Sequence, residues 1–261
     1  MNISLKGKTA LVGGSSKGIG EAIARQLAES GASVTLMARN EEKMKSIIKE
    51  MDTSSGQEHQ FLVVDFSNFE IFKKTISSFF KHNDVDILVN NTQGPSAGGA
   101  LEKSIEDYQQ AFDLLFKSVV LTTELALKHM QKKKWGRIIN VASISVKEPL
   151  NYLALSNSIR AAVVTWSKSL AYDIAQEGIT ANSILTGYFD TDRIAQLNTK
   201  KAEKMGVTPE EVRSTMEEQV PMKRIGKPEE YGYLVAFLAS DKAAYITGTN
   251  IPIDGGLLKS L

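Results

Sequence analysis

The sequence predicts a single-domain α/β fold, doubly wound, with a mostly parallel seven-stranded sheet and helices on both faces. Three observations carry this. Brief, continuous apolar runs alternate with long helical patterns, as strands do when both faces of a parallel sheet are covered. The order strand, helix, strand repeats along the chain, which calls for right-handed crossovers. A chain of 261 residues with 42% hydrophobic content is long enough for one substantial core.

In chain order, strands are predicted over 8–12, 33–37, 61–64, 87–89, 137–141, 180–184 and 250–253. Helices are predicted over 18–30, 40–53, 69–81, 105–133, 150–177 and 228–239. The first helix follows its strand through a glycine-rich turn and carries Ile23, Ala24 and Leu27 at helical spacing. The rhythm breaks at 189–225, a polar stretch rich in Lys and Glu. Placed after a strand whose carboxyl end borders the ligand crevice, it reads as a substrate-covering insertion, or as a helical hairpin over the sheet edge. No repeat beyond the strand-helix unit, no low-complexity tract and no linker divides the domain.

Composition excludes several function classes. Thirty-one Lys plus Arg against 30 Asp plus Glu leave a net charge of +1, a poor field for attracting nucleic acid. Absence of cysteine rules out disulfides and thiolate metal sites and suits a cytoplasmic protein. The first apolar run, Thr9 to Val12, is too short for a signal peptide, and no run is long enough to span a membrane. His59, His82 and His129 are scattered, so no metal is expected. The run Gln131 to Trp135 reads as solvated lysines at a helix carboxyl terminus, not as a nucleic-acid site.

The turn Gly13-Gly14-Ser15-Ser16-Lys17-Gly18-Ile19-Gly20 stands between the first strand and the first helix. Glycines there let backbone amides approach a pyrophosphate at a positive helix end, the dinucleotide-binding arrangement of a Rossmann fold. Gly14, Ser16, Lys17, Gly18, Ile19 and Gly20 are the expected cofactor contacts. After the second strand the run Leu36-Met37-Ala38-Arg39-Asn40 offers no acid for an adenosine ribose until Glu41. Arg39 instead offers a fork for a 2'-phosphate, and Lys17 a second charge, so NADP(H) is expected over NAD(H). Asp65 can accept from the adenine amino group. Asn91 is expected partly to touch a ribose, and Asn90 mainly to hold backbone.

With these motifs the chain resembles the short-chain dehydrogenase/reductase family, and most closely its 3-oxoacyl-acyl-carrier-protein reductase branch. Gly13 stands where that family's glycine motif opens with threonine. Asn90-Asn91-Thr92-Gln93 stands for Asn-Asn-Ala-Gly, and Thr186 replaces a proline before Gly187. Pro221 to Gly226, Pro228-Glu229-Glu230, Phe237 to Ser240, Tyr245 to Gly248 and Asp254-Gly255-Gly256 match closely. The resemblance implies that Thr191 touches the nicotinamide amide and phosphates. It also implies a homodimer or homotetramer, with helices 105–133 and 150–177 as candidate interfaces.

The same resemblance implies a catalytic serine, tyrosine, lysine and asparagine. Ser143 matches the serine, whereas Ser156 stands at the tyrosine, Arg160 at the lysine and Leu115 at the asparagine. A serine is too short and too weakly acidic to replace the phenol, arginine hardly deprotonates, and leucine cannot hold a water. Two other phenols remain. Tyr152, Ser156 and Arg160 are spaced four and four, along one face of the predicted helix, and Tyr188 follows Gly187. The expected function is therefore an NADP(H)-dependent carbonyl or alcohol oxidoreductase acting on a small-molecule substrate. In it Ser143 orients the carbonyl, Arg160 stabilises charge and the ribose, and Tyr188 or Tyr152 donates the proton. The alternative is a dinucleotide-binding regulatory or scaffold protein without turnover.

Overall fold

Alternation of short buried runs with amphipathic helices builds a seven-stranded sheet in the order β3-β2-β1-β4-β5-β6-β7. The structure is a computed structural model describing residues 2–260; Met1 and Leu261, the ends of the expected 1–261 domain, lie outside the described residues. The strands are β1 Thr9–Gly13, β2 Ser33–Ala38, β3 Gln60–Val63, β4 Ile87–Asn90, β5 Gly136–Val141, β6 Ile179–Thr186 and β7 Asn250–Ile253. Every pairing is parallel, so the expected mostly parallel sheet is wholly so. In β1, Val12 sits between Leu36 of β2 and Val89 of β4. The chain reverses its direction of winding on either side of β1, and a crevice opens there beyond the strands' carboxyl ends.

Helices α1 Gly18–Glu29, α2 Glu41–Glu50, α3 Phe69–Phe79, α4 Ile105–Phe112, α5 Ser118–Lys133, α6 Ala154–Ile174, α7 Asp192–Met205, α8 Pro209–Gln219 and α9 Pro228–Ala239 complete the layers. One core joins the sheet to α1, α2 and α9 through Ile23, Leu27, Ile47 and Val235. The other joins it to α3, α5 and α6 through Phe72, Ile76, Met130 and Ile159. Each such side chain contributes about 1.5–3 kcal/mol when fully buried.

Two helix predictions need correction. The helix expected over 105–133 is divided by a π-helical turn, Asp113–Lys117, between α4 and α5. No glycine or proline marks the break. Phe112 and Phe116 stack at 4.9 Å across it, and Ser118 Oγ donates to the Leu114 carbonyl, so side-chain packing takes up the extra residue. The helix expected over 150–177 starts only at Ala154. Residues 151–153 pair instead with the loop after β4: Gly98 N–H donates to the Tyr152 carbonyl at 2.7 Å, and Ala154 N–H donates to the Gly98 carbonyl at 3.1 Å. Tyr152 therefore stands before α6 and not on its face.

At the opposite end of the sheet, Asp86 is almost fully buried and accepts from the Thr9 amide, His129 and Lys133. Burial pushes its carboxylate up, but Lys133 and the Thr9 amide bring it below the usual range. His129, half-buried, thus ties α5 to Asp86. Lys8 lies over the Trp135 ring, 3.6 Å from its centre, and Arg137 at 4.4 Å. No helix among the described residues is long and apolar enough to cross a membrane.

Candidate active site

The glycine turn is shaped by what its glycines lack. Gly14 and Gly18 have φ of +57° and +58°, a left-handed conformation that side chains disfavour. A β-carbon on Gly20 would lie 2.2 Å from the Gly14 carbonyl oxygen, and one on Gly13 2.2 Å from the Asn91 carbonyl oxygen. The second contact explains why glycine, not threonine, stands at Gly13. Asn91 donates from its side-chain amide to the Gly13 carbonyl at 3.0 Å, so its amide holds the turn.

Ser15 straps the turn to the sheet. Its hydroxyl donates to the Val12 carbonyl at 2.8 Å and accepts from the Met37 amide at 2.9 Å. Sequence reasoning passed over this serine, because the β2 amide that it binds is remote in the chain. Ser16 is half-buried on the turn, and Ile19 packs its side chain against the core. At the start of α1, Lys17 provides no side-chain cap, and the first amides of the helix stay open to an acceptor. An open helix start cradled by glycines without room for a β-carbon fits a dinucleotide pyrophosphate.

The neighbouring predicted contacts are distributed around this turn. Arg39 is exposed just beyond β2 and acts electrostatically on Asp65. Asp65 lies past the end of β3, and its carboxylate accepts from Ser67 Oγ at 2.7 Å and the Ser67 amide at 2.9 Å, which hold it below the usual carboxylate range. Lys17 is not beside Arg39's fork: its Nζ pairs with Asp192 at 3.0 Å, tying the turn to the start of α7. Thr191 caps α7 and lies against Gly18. Asn90, in contrast, is enclosed. It donates to Thr123 and Asn140, and Asn140 donates to Ser167, a buried polar chain joining β4, β5, α5 and α6.

Along the crevice, the segment after β5 and helix α6 carry Ser143, Ser156 and Arg160. Ser143, just past β5, accepts the Ser145 amide at 3.1 Å, leaving its own proton free to donate. Ser156 is buried on α6 and accepts from Arg160 Nε at 3.2 Å, while Arg160 Nη1 donates to the Val141 carbonyl at 2.5 Å. Ser156 therefore holds the guanidinium and is turned away from the role of a phenol. Burial lowers the Arg160 pKa, Tyr231 opposes that shift and Arg193 adds to it; arginine still stays cationic. A cavity of about 10 Å³ lies beneath, lined by Leu115, Asn90, Asn140 and Arg160. Leu115 belongs to the π turn.

Tyr152 and Tyr188 meet. The two phenols lie close enough to act on each other's ionisation. Burial, followed by the charge and the hydrogen bond of Tyr188, pushes the Tyr152 phenol up to about 12. Burial also raises Tyr188, and the bond from Tyr152 works against it. Tyr152 is 41% exposed and so reaches solvent. Spacing along a helix could not show this pairing, because the two phenols come from the turn before α6 and the segment after β6. Thr186, which replaces the family's proline, bonds the Tyr231 hydroxyl at 3.0 Å.

The segment 189–225 is a helical hairpin, α7 and α8, with its own apolar cluster of Ala202, Val212 and Met216 against Tyr188 and Ile194. From its first turn Arg193 Nη2 donates to the Pro95 carbonyl at 2.9 Å, across the crevice.

Comparison with known proteins agrees with this fold. Residues 14–258 match the family model described as Enoyl-(Acyl carrier protein) reductase. The chain is 35% identical over 260 residues to the 3-oxoacyl-[acyl-carrier-protein] reductase of Rickettsia prowazekii, covering 98% of this chain and 99% of that protein. It is 32% identical over 263 residues to the corresponding protein of Aquifex aeolicus, covering 98% and 100%. Among solved structures, the L-sorbose reductase of Gluconobacter frateurii, complexed with NADPH and L-sorbose, superposes with a TM-score of 0.92 at 30% identity over the full length of both chains. The chain belongs to the short-chain dehydrogenase/reductase family of oxidoreductases.

Proposed function

We propose that this short-chain dehydrogenase/reductase is an NADP(H)-dependent carbonyl or alcohol oxidoreductase whose proton donor is Tyr188, relayed by Tyr152. What supports the reading is the proximity of these two phenols at the end of the sheet that also carries Ser143, Arg160 and a glycine turn that fits a dinucleotide. The L-sorbose reductase complexed with NADPH supports the same cofactor here, as does Arg39 in place of a ribose-binding acid. Gly14, Ser16, Lys17, Gly18, Ile19 and Gly20 hold the pyrophosphate side, Arg39 the 2'-phosphate, Asp65 the adenine, and Asn91, Thr191 and Arg160 the remaining contacts. When bound, NADPH supplies a hydride to the carbonyl carbon.

The chain's own groups do the rest. Ser143 donates to the carbonyl oxygen and orients it, because its lone pair is engaged by the Ser145 amide. Arg160 supplies fixed positive potential where negative charge develops on oxygen. Tyr188 gives its proton to that oxygen, Tyr152 replaces it, and water restores Tyr152. Ser156 is a positioning residue for Arg160. The hairpin 189–225 acts as a substrate cover, since Arg193 reaches the loop after β4. A homodimer or homotetramer through α5 and α6 belongs to this reading, and Tyr172 of α6, 89% exposed, is the side chain to test in it.

The test is NADPH oxidation over a panel of ketones, aldehydes and quinones beside a direct NADPH titration. Turnover that falls in Tyr188→Phe with NADPH affinity unchanged supports the assignment. Tight binding with no oxidation of any panel member sinks it in favour of a nucleotide-binding scaffold.

A further inference from the structure

Counter-charges are distributed unevenly over the seven arginines of this chain. Arg25, Arg137, Arg213 and Arg224 each pair with a carboxylate. Among the described residues Arg39, Arg160 and Arg193 make no such pair, and these three belong to the crevice. Arg39 has a role in the reading above, at the 2'-phosphate, and Arg160 has one beside the reacting oxygen. Arg193 has none.

Its position is specific. Arg193 stands in the first turn of α7, donates from Nη2 to the Pro95 carbonyl at 2.9 Å and lies over Gly94, where a β-carbon would come within 3.5 Å of Nη2. The acid in that turn, Asp192, is engaged by Lys17 at 3.0 Å. A cation at a helix start is locally unfavourable, and Arg193 also repels Arg160. Two guanidiniums facing one crevice without a carboxylate are stabilised by an anion that enters it.

We propose that the substrate is an anionic carbonyl compound and that Arg193 binds its carboxylate or phosphate group, making Arg193 a specificity residue. The hydrogen bond to Pro95 uses one face of the fork and fixes the guanidinium across the loop after β4. The remaining N–H groups are left to grip the two oxygens of an anion side by side. This inference rests on the reductase reading for the word substrate, but the anion site itself does not need turnover. The competing source of the same chemistry is the cofactor's own pyrophosphate.

The experiment pairs acetoacetate and levulinate with their methyl esters. Each is titrated calorimetrically into wild type and Arg193→Gln, with and without saturating NADP+, and each is offered with NADPH as a substrate. The expected result is a carboxylate preference of about tenfold or more in wild type, lost in Arg193→Gln and partly restored in Arg193→Lys, with NADP+ affinity within about twofold throughout. Equal affinity of wild type for acid and ester overturns the proposal. So does a loss of NADP+ affinity in Arg193→Gln, which assigns the arginine to the cofactor. A carboxylate preference that persists without any NADPH oxidation sinks the reductase reading while leaving the anion site standing.

Discussion

The glycine turn and the catalytic crevice lie at the same edge of one sheet and are built on opposite principles. At the turn the working parts are backbone groups, and side chains matter mainly by being absent: Gly20 and Gly13 leave no space for a β-carbon, and Ser15 and Asn91 bond only to main chain. In the crevice the working parts are side chains, and they come from remote segments: Ser143 after β5, Arg160 on α6, Tyr152 before it and Tyr188 after β6. A backbone site tolerates no local change, whereas a side-chain site can be rewired. In the proposed reading its phenol stands elsewhere, and Ser156 accepts from Arg160.

The largest expected effect tests the intolerance of the turn. Gly20→Ala places a methyl 2.2 Å from the Gly14 carbonyl oxygen, and the backbone must shift at a cost of about 1–3 kcal/mol. Calorimetry should detect no NADPH binding at concentrations that saturate wild type. Retained binding would break the comparison, since the turn would then be as adaptable as the crevice.

Next comes Tyr188→Phe, expected to lower kcat about a hundredfold or more while NADPH affinity holds, as removal of a general acid does. An unchanged kcat would move the donor elsewhere. Ser143→Ala should follow at about tenfold to a hundredfold in kcat/KM, the range for removing one donor to a developing oxyanion; the reading for Ser143 fails if turnover is unaffected. Arg39→Ala should weaken NADPH about tenfold and leave NADH unaltered, the loss of one charge-assisted contact. Equal loss for both cofactors would show that Arg39 does not read the 2'-phosphate.

The smallest effect is a pH profile. Reduction needs a protonated phenol, and burial keeps both phenols protonated, with Tyr152 pushed up to about 12. Reduction should therefore be flat from about pH 6 to 9 and decline only as pH rises through the raised values. Alcohol oxidation needs the phenolate, so its rate should climb with pH over that window. A reduction rate that fell by tenfold from about pH 7 to 9 would point to a donor with a lower pKa.

Legibility in the sequence followed the same division. The strands were readable because burial on both faces of a parallel sheet imposes continuous apolar runs. Gly14, Gly18 and Gly20 were readable because their requirement is local. Division of the 105–133 helix was not, since the π turn rests on packing of Phe112 on Phe116 rather than on a breaker. The face shared by Tyr152, Ser156 and Arg160 failed because Gly98, far off in sequence, draws residues 151–153 out of the helix. Lys17 was expected at the 2'-phosphate, but its Nζ pairs with Asp192, remote in the chain, at the start of α7.

The sequence by itself determined the layered fold and the glycine cradle, because each depends on periodicity or on residue type at a single position. Only the tertiary structure decided that Tyr152 stands before α6, that Ser156 accepts from Arg160 and that Arg193 is left without a counter-charge. Those facts depend on distances between groups brought together by chain crossovers, and no spacing along the chain encodes them.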